Sequence, residues 1–247
     1  MNAPDSQAFV TTRWTQVLAA RGGSEPARAA LSELCGTYYR PVLAFLRRTG
    51  TGVDEPEDVA HAFFAEILGG DGLDGVDRGK GRFRSYLLGA LKHFVANRHR
   101  RAGRKRHGGE AEHVPIEGGD SESGETMLDP AAPELEALFD REWAFTVVEG
   151  ALARLEREAL ESGSAGPFAV LKAWLSFGEE PGSQAEAAAR LGMNEGAVKV
   201  AIHRLRRRFR EIVRMEVRQT LPEGLSEEAE IQQLIVALSG GGERPAF

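Results

Sequence analysis

The chain has a single cysteine, Cys35, in 247 residues. That leaves no partner for an internal disulfide and no thiolate set for a zinc cage. Cys35 lies in a helical pattern, where a lone thiol packs as a small apolar group, so redox and structural-zinc functions drop out. Long apolar runs are missing as well: no stretch approaches the roughly eighteen uninterrupted apolar residues of a membrane span. Residues 1–10 lack the basic start and apolar run of an export signal, and the expectation is a soluble, unexported, cytoplasmic chain. Enzyme signatures are also missing. The 6 histidines show no His-Glu-x-x-His spacing, and no Gly-x-Ser-x-Gly elbow occurs. Gly79-Lys80-Gly81 hints at a phosphate loop, but Asp74 occupies the required first Gly and Gly81 the required Ser or Thr. Glu57 and Asp58 are adjacent, hence about 100° apart on a helix, and do not converge on one reacting centre. No catalytic residue, metal or cofactor is expected.

What the chain does have is segregated charge. Its net charge of -6 would by itself argue against a nucleic-acid partner, but the average conceals blocks of opposite sign. Residues 50–77 carry 8 acidic and no basic side chains, residues 78–107 carry 11 basic and no acidic ones, and residues 108–142 carry 11 acidic and 1 basic. A second basic block, residues 190–218, has 9 basic and 3 acidic side chains. The local field rather than the total charge governs attraction to phosphates, so two basic blocks separated by acidic segments suggest two contacts with a polyanion. The plainer alternative is two solvated helix faces.

No internal repeat and no alternating strand pattern is visible, and the chain reads as nearly all helix. Before residue 50, Thr12 can cap a helix through Arg21, Ser24 a second through Tyr39, and Pro41 opens a third that stops at Gly50. Asp54 can cap the next, with Pro56 in its first turn and acidic groups at the positive end of its dipole. Val59/Ala60, Phe63/Phe64 and Ile67/Leu68 recur every four residues as its buried stripe and leave Glu57, Asp58 and His61 on or near the exposed side. A Gly- and Asp-rich loop, residues 69–81, leads to a helix with core positions Phe83, Leu87, Leu91, Phe94 and Val95. Residues 103–133 are rich in turn formers and read as a linker. Periodicity resumes over residues 135–160, breaks at Gly163 to Pro167, and returns through Trp174. The tail has one more apolar run, residues 231–238, suited to a short amphipathic helix.

Two segments carry chemistry. Residues 184–208 fit a helix-turn-helix: Ala188 is small enough for a close helix crossing, Gly192 permits the turn, and Leu191 and Met193 fill the core. Val198, Ile202 and Leu205 line the buried face of the second helix. Lys199, Val200, His203, Arg204 and Arg207 are then outward, as suits a helix laid in the major groove. The competing reading is an ordinary helical hairpin with a basic face, which the nine basic residues of the block make less apt. In residues 78–107 aromatics are interleaved with the charges. Helical spacing assigns Phe94, and with less force Phe83, to the core, and leaves Tyr86 as a candidate face for stacking on an unpaired base.

Taken together, these stretches resemble the sigma-70-type transcription initiation factors of the small, two-domain extracytoplasmic-function (ECF) group. The resemblance is carried by Pro56-Glu-Asp-Val-Ala-His-Ala-Phe-Phe64, by Gly81-Arg-Phe-Arg-Ser-Tyr-Leu-Leu88 running on to Asn97-Arg98, and by Gly192-Met-Asn-Glu-Gly-Ala-Val-Lys-Val-Ala-Ile-His-Arg-Leu205. It implies an all-α fold of two small helical domains: a region 2-like bundle, residues 1–105, and a region 4-like helix-turn-helix domain, residues 135–220. An acidic flexible linker, residues 106–134, would join them, mimicking RNA charge in a polymerase channel, and a tail, residues 221–247, would follow. It implies core RNA polymerase and promoter DNA as partners and a monomer when free. Glu57, Asp58 and His61 would grip core polymerase. Arg78, Lys80, Arg82, Arg84, Tyr86, His93, Asn97, Arg98 and Arg101 would open and hold minus-10 DNA, and Lys199, Val200, His203, Arg204 and Arg207 would read the minus-35 duplex. His61 and Ala62 stand where the family usually has Gln and Glu, and His93 where an Asn is frequent. Restraint by an anti-sigma protein, by the tail or by modification of the acidic helix are open alternatives. The rival identity is a dimeric helix-turn-helix repressor or activator on a palindromic duplex, which would leave residues 78–107 and the acidic helix without a purpose.

Overall fold

A computed structural model describes residues 25–51, 54–68, 83–106, 132–175, 182–221 and 225–240. Over these residues the chain is all-α, with eight α-helices and no strand. Backbone contacts divide it into two compact units, residues 1–143 and 144–247.

In the first unit, Leu31, Cys35, Tyr38, Val42 and Phe45 recur every three or four residues, and all are buried. They lie on one helix, α1 (Glu25–Thr49), with Pro41 inside it. The sequence reading expects a break at Pro41, and the structure corrects it. An interior proline costs a helix about 3 kcal/mol. Burial of each large apolar side chain of this stripe returns about 1.5–3 kcal/mol, so one uninterrupted face outweighs the lost hydrogen bond. The expected stop at Gly50 is observed: its φ is 79° and its N–H donates to the Leu46 carbonyl at 2.9 Å.

Helix α2 (Pro56–Leu68) buries Val59, Ala60, Phe63, Phe64 and Ile67, the stripe expected from spacing. The helix starts at Pro56, and the Asp54 carboxylate, the expected cap, accepts from Arg98 at 2.5 Å. The Glu55 carbonyl takes the first helical bond, from the Val59 N–H at 3.1 Å. Helix α3 (Phe83–Arg106) buries Phe83, Leu87 and Leu91, while Phe94 and Val95 are half-buried. The Phe83 edge meets the Tyr38 ring at 5.1 Å and Phe94 meets Phe63 at 5.4 Å. The division between units falls inside helix α4 (Ala132–Glu161). Residues 135–143, the expected opening of the second domain, are grouped with the first unit, where Phe139 stacks on Tyr38 at 6.3 Å and Trp143 is fully buried.

The second unit takes the rest of α4, a turn at Gly163 with φ 71°, α5 (Ala165–Leu171) and a 3-10 turn (Lys172–Leu175). Then come α6 (Gln184–Leu191), α7 (Glu195–Arg218) and α8 (Glu227–Ser239). Leu171, Ala187, Ala188, Val198 and Ile202 form one core, joined by the half-buried Trp174, Leu191 and Leu205. Further along α7, Phe209, Ile212, Val213 and Val217 continue the buried stripe. Charge ties the elements together at its edge. Arg208 donates to both carboxylate oxygens of Glu158 at 2.9 and 2.7 Å, and Arg206 donates to the Trp174 carbonyl at 3.1 Å. The apolar run at residues 231–238 lies on α8, which buries Leu234 and approaches α7 through Arg214 and Glu227 at 3.7 Å. No described helix is long and apolar enough to cross a membrane. The helix expected at residues 12–21, the loop 69–81 and residues 107–131 of the expected linker lie outside the described residues.

Candidate nucleic-acid interface

The unit formed by α6, its turn and α7 is bounded by local chemistry at each helix end. Ser183 and Glu186 form a reciprocal cap: the Ser183 hydroxyl accepts from the Glu186 N–H at 3.1 Å, and the Glu186 carboxylate accepts from the Ser183 N–H at 3.3 Å. Gly192 ends α6 in the left-handed region at φ 64°, which only glycine adopts at no steric cost. Asn194 opens α7 by accepting from the Ala197 N–H at 2.8 Å. A Cβ at Gly196 would lie 3.3 Å from that Asn194 oxygen, so the glycine gives the cap its room. Three residues, Gly192 to Asn194, therefore reverse the chain. Leu191 packs against the core as expected, but Met193 does not fill it and is 39% exposed. Its N–H is committed to the Ala188 carbonyl at 3.0 Å, and the reversal at Gly192 turns its side chain outward.

With Val198, Ile202 and Phe209 buried, Lys199, Val200, His203, Arg204 and Arg207 are all exposed. At about 100° per residue they fall on one side of α7. Arg207 also pairs with Glu211 at 3.1 Å. A helix with its side chains is about 10–12 Å across and the major groove about 12 Å wide, so this face has the dimensions to enter it.

The second set lies on α3. Tyr86, His93, Asn97 and Arg101 recur at about 7, 4 and 4 residues, which stacks them on one side of the helix. His93 and Arg101 are exposed, and Tyr86 and Asn97 are half-exposed. Asn97 lies within hydrogen-bond distance of the His93 ring at 3.2 Å and accepts from Arg100. Burial pushes the Tyr86 hydroxyl up to about 12, and its ring lies 6.2 Å from Phe83. Arg98 is held by Asp54. Arg84 is not on this face. It stands nine residues before His93, half a turn round the helix, and is 4% exposed. Its guanidinium lies 4.2 Å over the Trp143 ring and its Nε 3.4 Å from Asp140. The half-turn offset was legible in the sequence, whereas the partners Trp143 and Asp140 were not. Arg78, Lys80 and Arg82 lie outside the described residues.

At the start of α2, Glu57 accepts from Arg47 at 2.6 Å, and this bond is the main reason its carboxyl is held below the usual carboxylate range. Asp58 is exposed. His61 is exposed too, stacked at 5.7 Å on Tyr39 with its Nε2 3.3 Å from the Tyr39 hydroxyl. Glu57, Asp58 and His61 thus share the first turns of one helix. Among the described residues no group of His, Cys, Asp or Glu is arranged to hold a metal ion. In comparisons with protein families, with curated proteins and with solved structures, nothing matches this chain.

Proposed function

We propose that the chain is an ECF-type sigma factor: it binds core RNA polymerase, recognises minus-35 and minus-10 promoter elements and starts DNA-templated transcription. The observation that carries the reading is the capped α6–turn–α7 unit with Lys199, Val200, His203, Arg204 and Arg207 together on its open face. Lys and Arg there hold phosphates and base edges of the minus-35 duplex. In the same reading the α3 stripe of Tyr86, His93, Asn97 and Arg101, with Arg98 beside it and the preceding Arg78, Lys80 and Arg82, holds unpaired minus-10 DNA. Unstacking a base costs a few kcal/mol, which stacking and phosphate contacts offset. Arg84, buried against Trp143, has a packing task instead. Glu57, Asp58 and His61 meet a basic surface of core polymerase. The factor itself carries no reaction chemistry.

Two variants test the assignment together. Lys199→Ala with Arg204→Ala should weaken minus-35 recognition at least tenfold while leaving core binding intact, since a good bidentate base contact is worth about 1–3 kcal/mol. Glu57→Lys with Asp58→Lys should do the reverse. Unchanged initiation from a mapped promoter in the first, or unchanged affinity for core in the second, would contradict the corresponding role.

A further inference from the structure

The α7 face has an apolar centre. With the buried residues Val198, Ile202, Phe209, Ile212 and Val213 placed on a helical wheel at about 100° per residue, Val200 falls within about 5° of the direction opposite their mean. It is therefore the side chain that points most directly away from the core, and it is 49% exposed. Lys199 and Arg204 stand about 100° and 40° to either side of it, and Arg207 is two turns on, close to the same line. An exposed β-branched residue gives up helix propensity relative to alanine. It also places two methyl groups in water at the middle of a basic face. One turn before it, Gly196 adds no side chain to the outward surface, so a base edge has a clear approach to Val200.

We propose that Val200 reads the C5-methyl of one thymine in the duplex recognised by α7. The inference rests on the proposed function and adds the chemistry of one specificity position. In the major groove a thymine differs from every other base in presenting that methyl group, and an apolar side chain at the helix centre is its natural partner. Lys199 and Arg204, flanking it, set the register by holding the strands on either side. Contact between valine and the methyl group removes both from water without asking for a hydrogen bond, so replacing the base by cytosine puts an amino group against an apolar surface.

The test uses the full chain, alone and with core polymerase, to select duplexes from a random pool. Each thymine of the selected site is then replaced singly by deoxyuridine, which deletes only the methyl group. The wild-type chain should lose about threefold to fivefold in affinity at one position, the value of one buried methyl. Val200→Ser, which folds because the position is exposed, replaces the two methyl groups by one hydroxyl and should bind the thymine and deoxyuridine duplexes equally. A selected sequence with no uracil-sensitive position, or one whose sensitivity persists undiminished in Val200→Ser, overturns this inference and leaves the proposed function standing. Failure to select any duplex overturns both.

Discussion

Glu158 and Arg208 show how much one ion pair depends on its setting. The two hydrogen bonds from Arg208 hold the Glu158 carboxyl below the usual carboxylate range, against a smaller opposing effect of burial, and Arg154 adds to the pull from 3.3 Å. A carboxyl depressed in the folded state contributes stability that is fully present above its unfolded pKa, about 4.3, and is lost as pH falls through the folded value. Glu158→Gln should therefore be less stable than wild type in urea at pH 6 and lose less on acidification to pH 3, so that the two midpoints converge. Parallel curves would show that the pair is solvent-screened and without consequence. Arg84 teaches a different lesson. Its charge, read in sequence with ten other cations, suggested a phosphate contact. The cation–π contact with Trp143 depends on a residue 59 positions away and lies beyond any local pattern.

At the scale of elements, short-range signals were legible and long-range ones were not. The α2 stripe, the Gly50 stop, the turn at Gly192 and the exposed face of α7 all follow from spacing and backbone chemistry within a few residues. The continuity of α1 through Pro41 does not, because it is set by what Tyr38, Val42 and Phe45 pack against. Met193 lies outside the core for a related reason: its position follows from the left-handed residue before it. Two glycines separate these effects. Neither Gly192 nor Gly150 has an atom within 4 Å of an added Cβ, but Gly192 has φ 64° and Gly150 lies inside α4 without such a φ. Gly192→Ala should destabilise by about 1–2 kcal/mol, and Gly150→Ala should stabilise by about 0.5–1 kcal/mol. Chemical denaturation of both variants checks the pair, and equal effects would mean that the Gly192 turn relaxes without cost.

For the whole molecule the informative feature is the separation of charge and chemistry along the chain. A net charge of -6 coexists with eleven basic residues between 78 and 107, and the α3 stripe, the α2 acidic turn and the α7 face stand on three different helices. A dimeric repressor would need only the third. All three find a use if the chain bridges core polymerase to promoter DNA, and nucleic-acid binding through the two basic blocks should then weaken steeply with salt. The decisive measurement is to mix the purified chain with core RNA polymerase, isolate the complex and map transcript starts on genomic DNA. Discrete starts that core alone ignores, each preceded by two common sequence elements, are the predicted result. No complex with core, together with tight dimeric binding to a palindromic duplex, would contradict the proposal and establish the repressor reading.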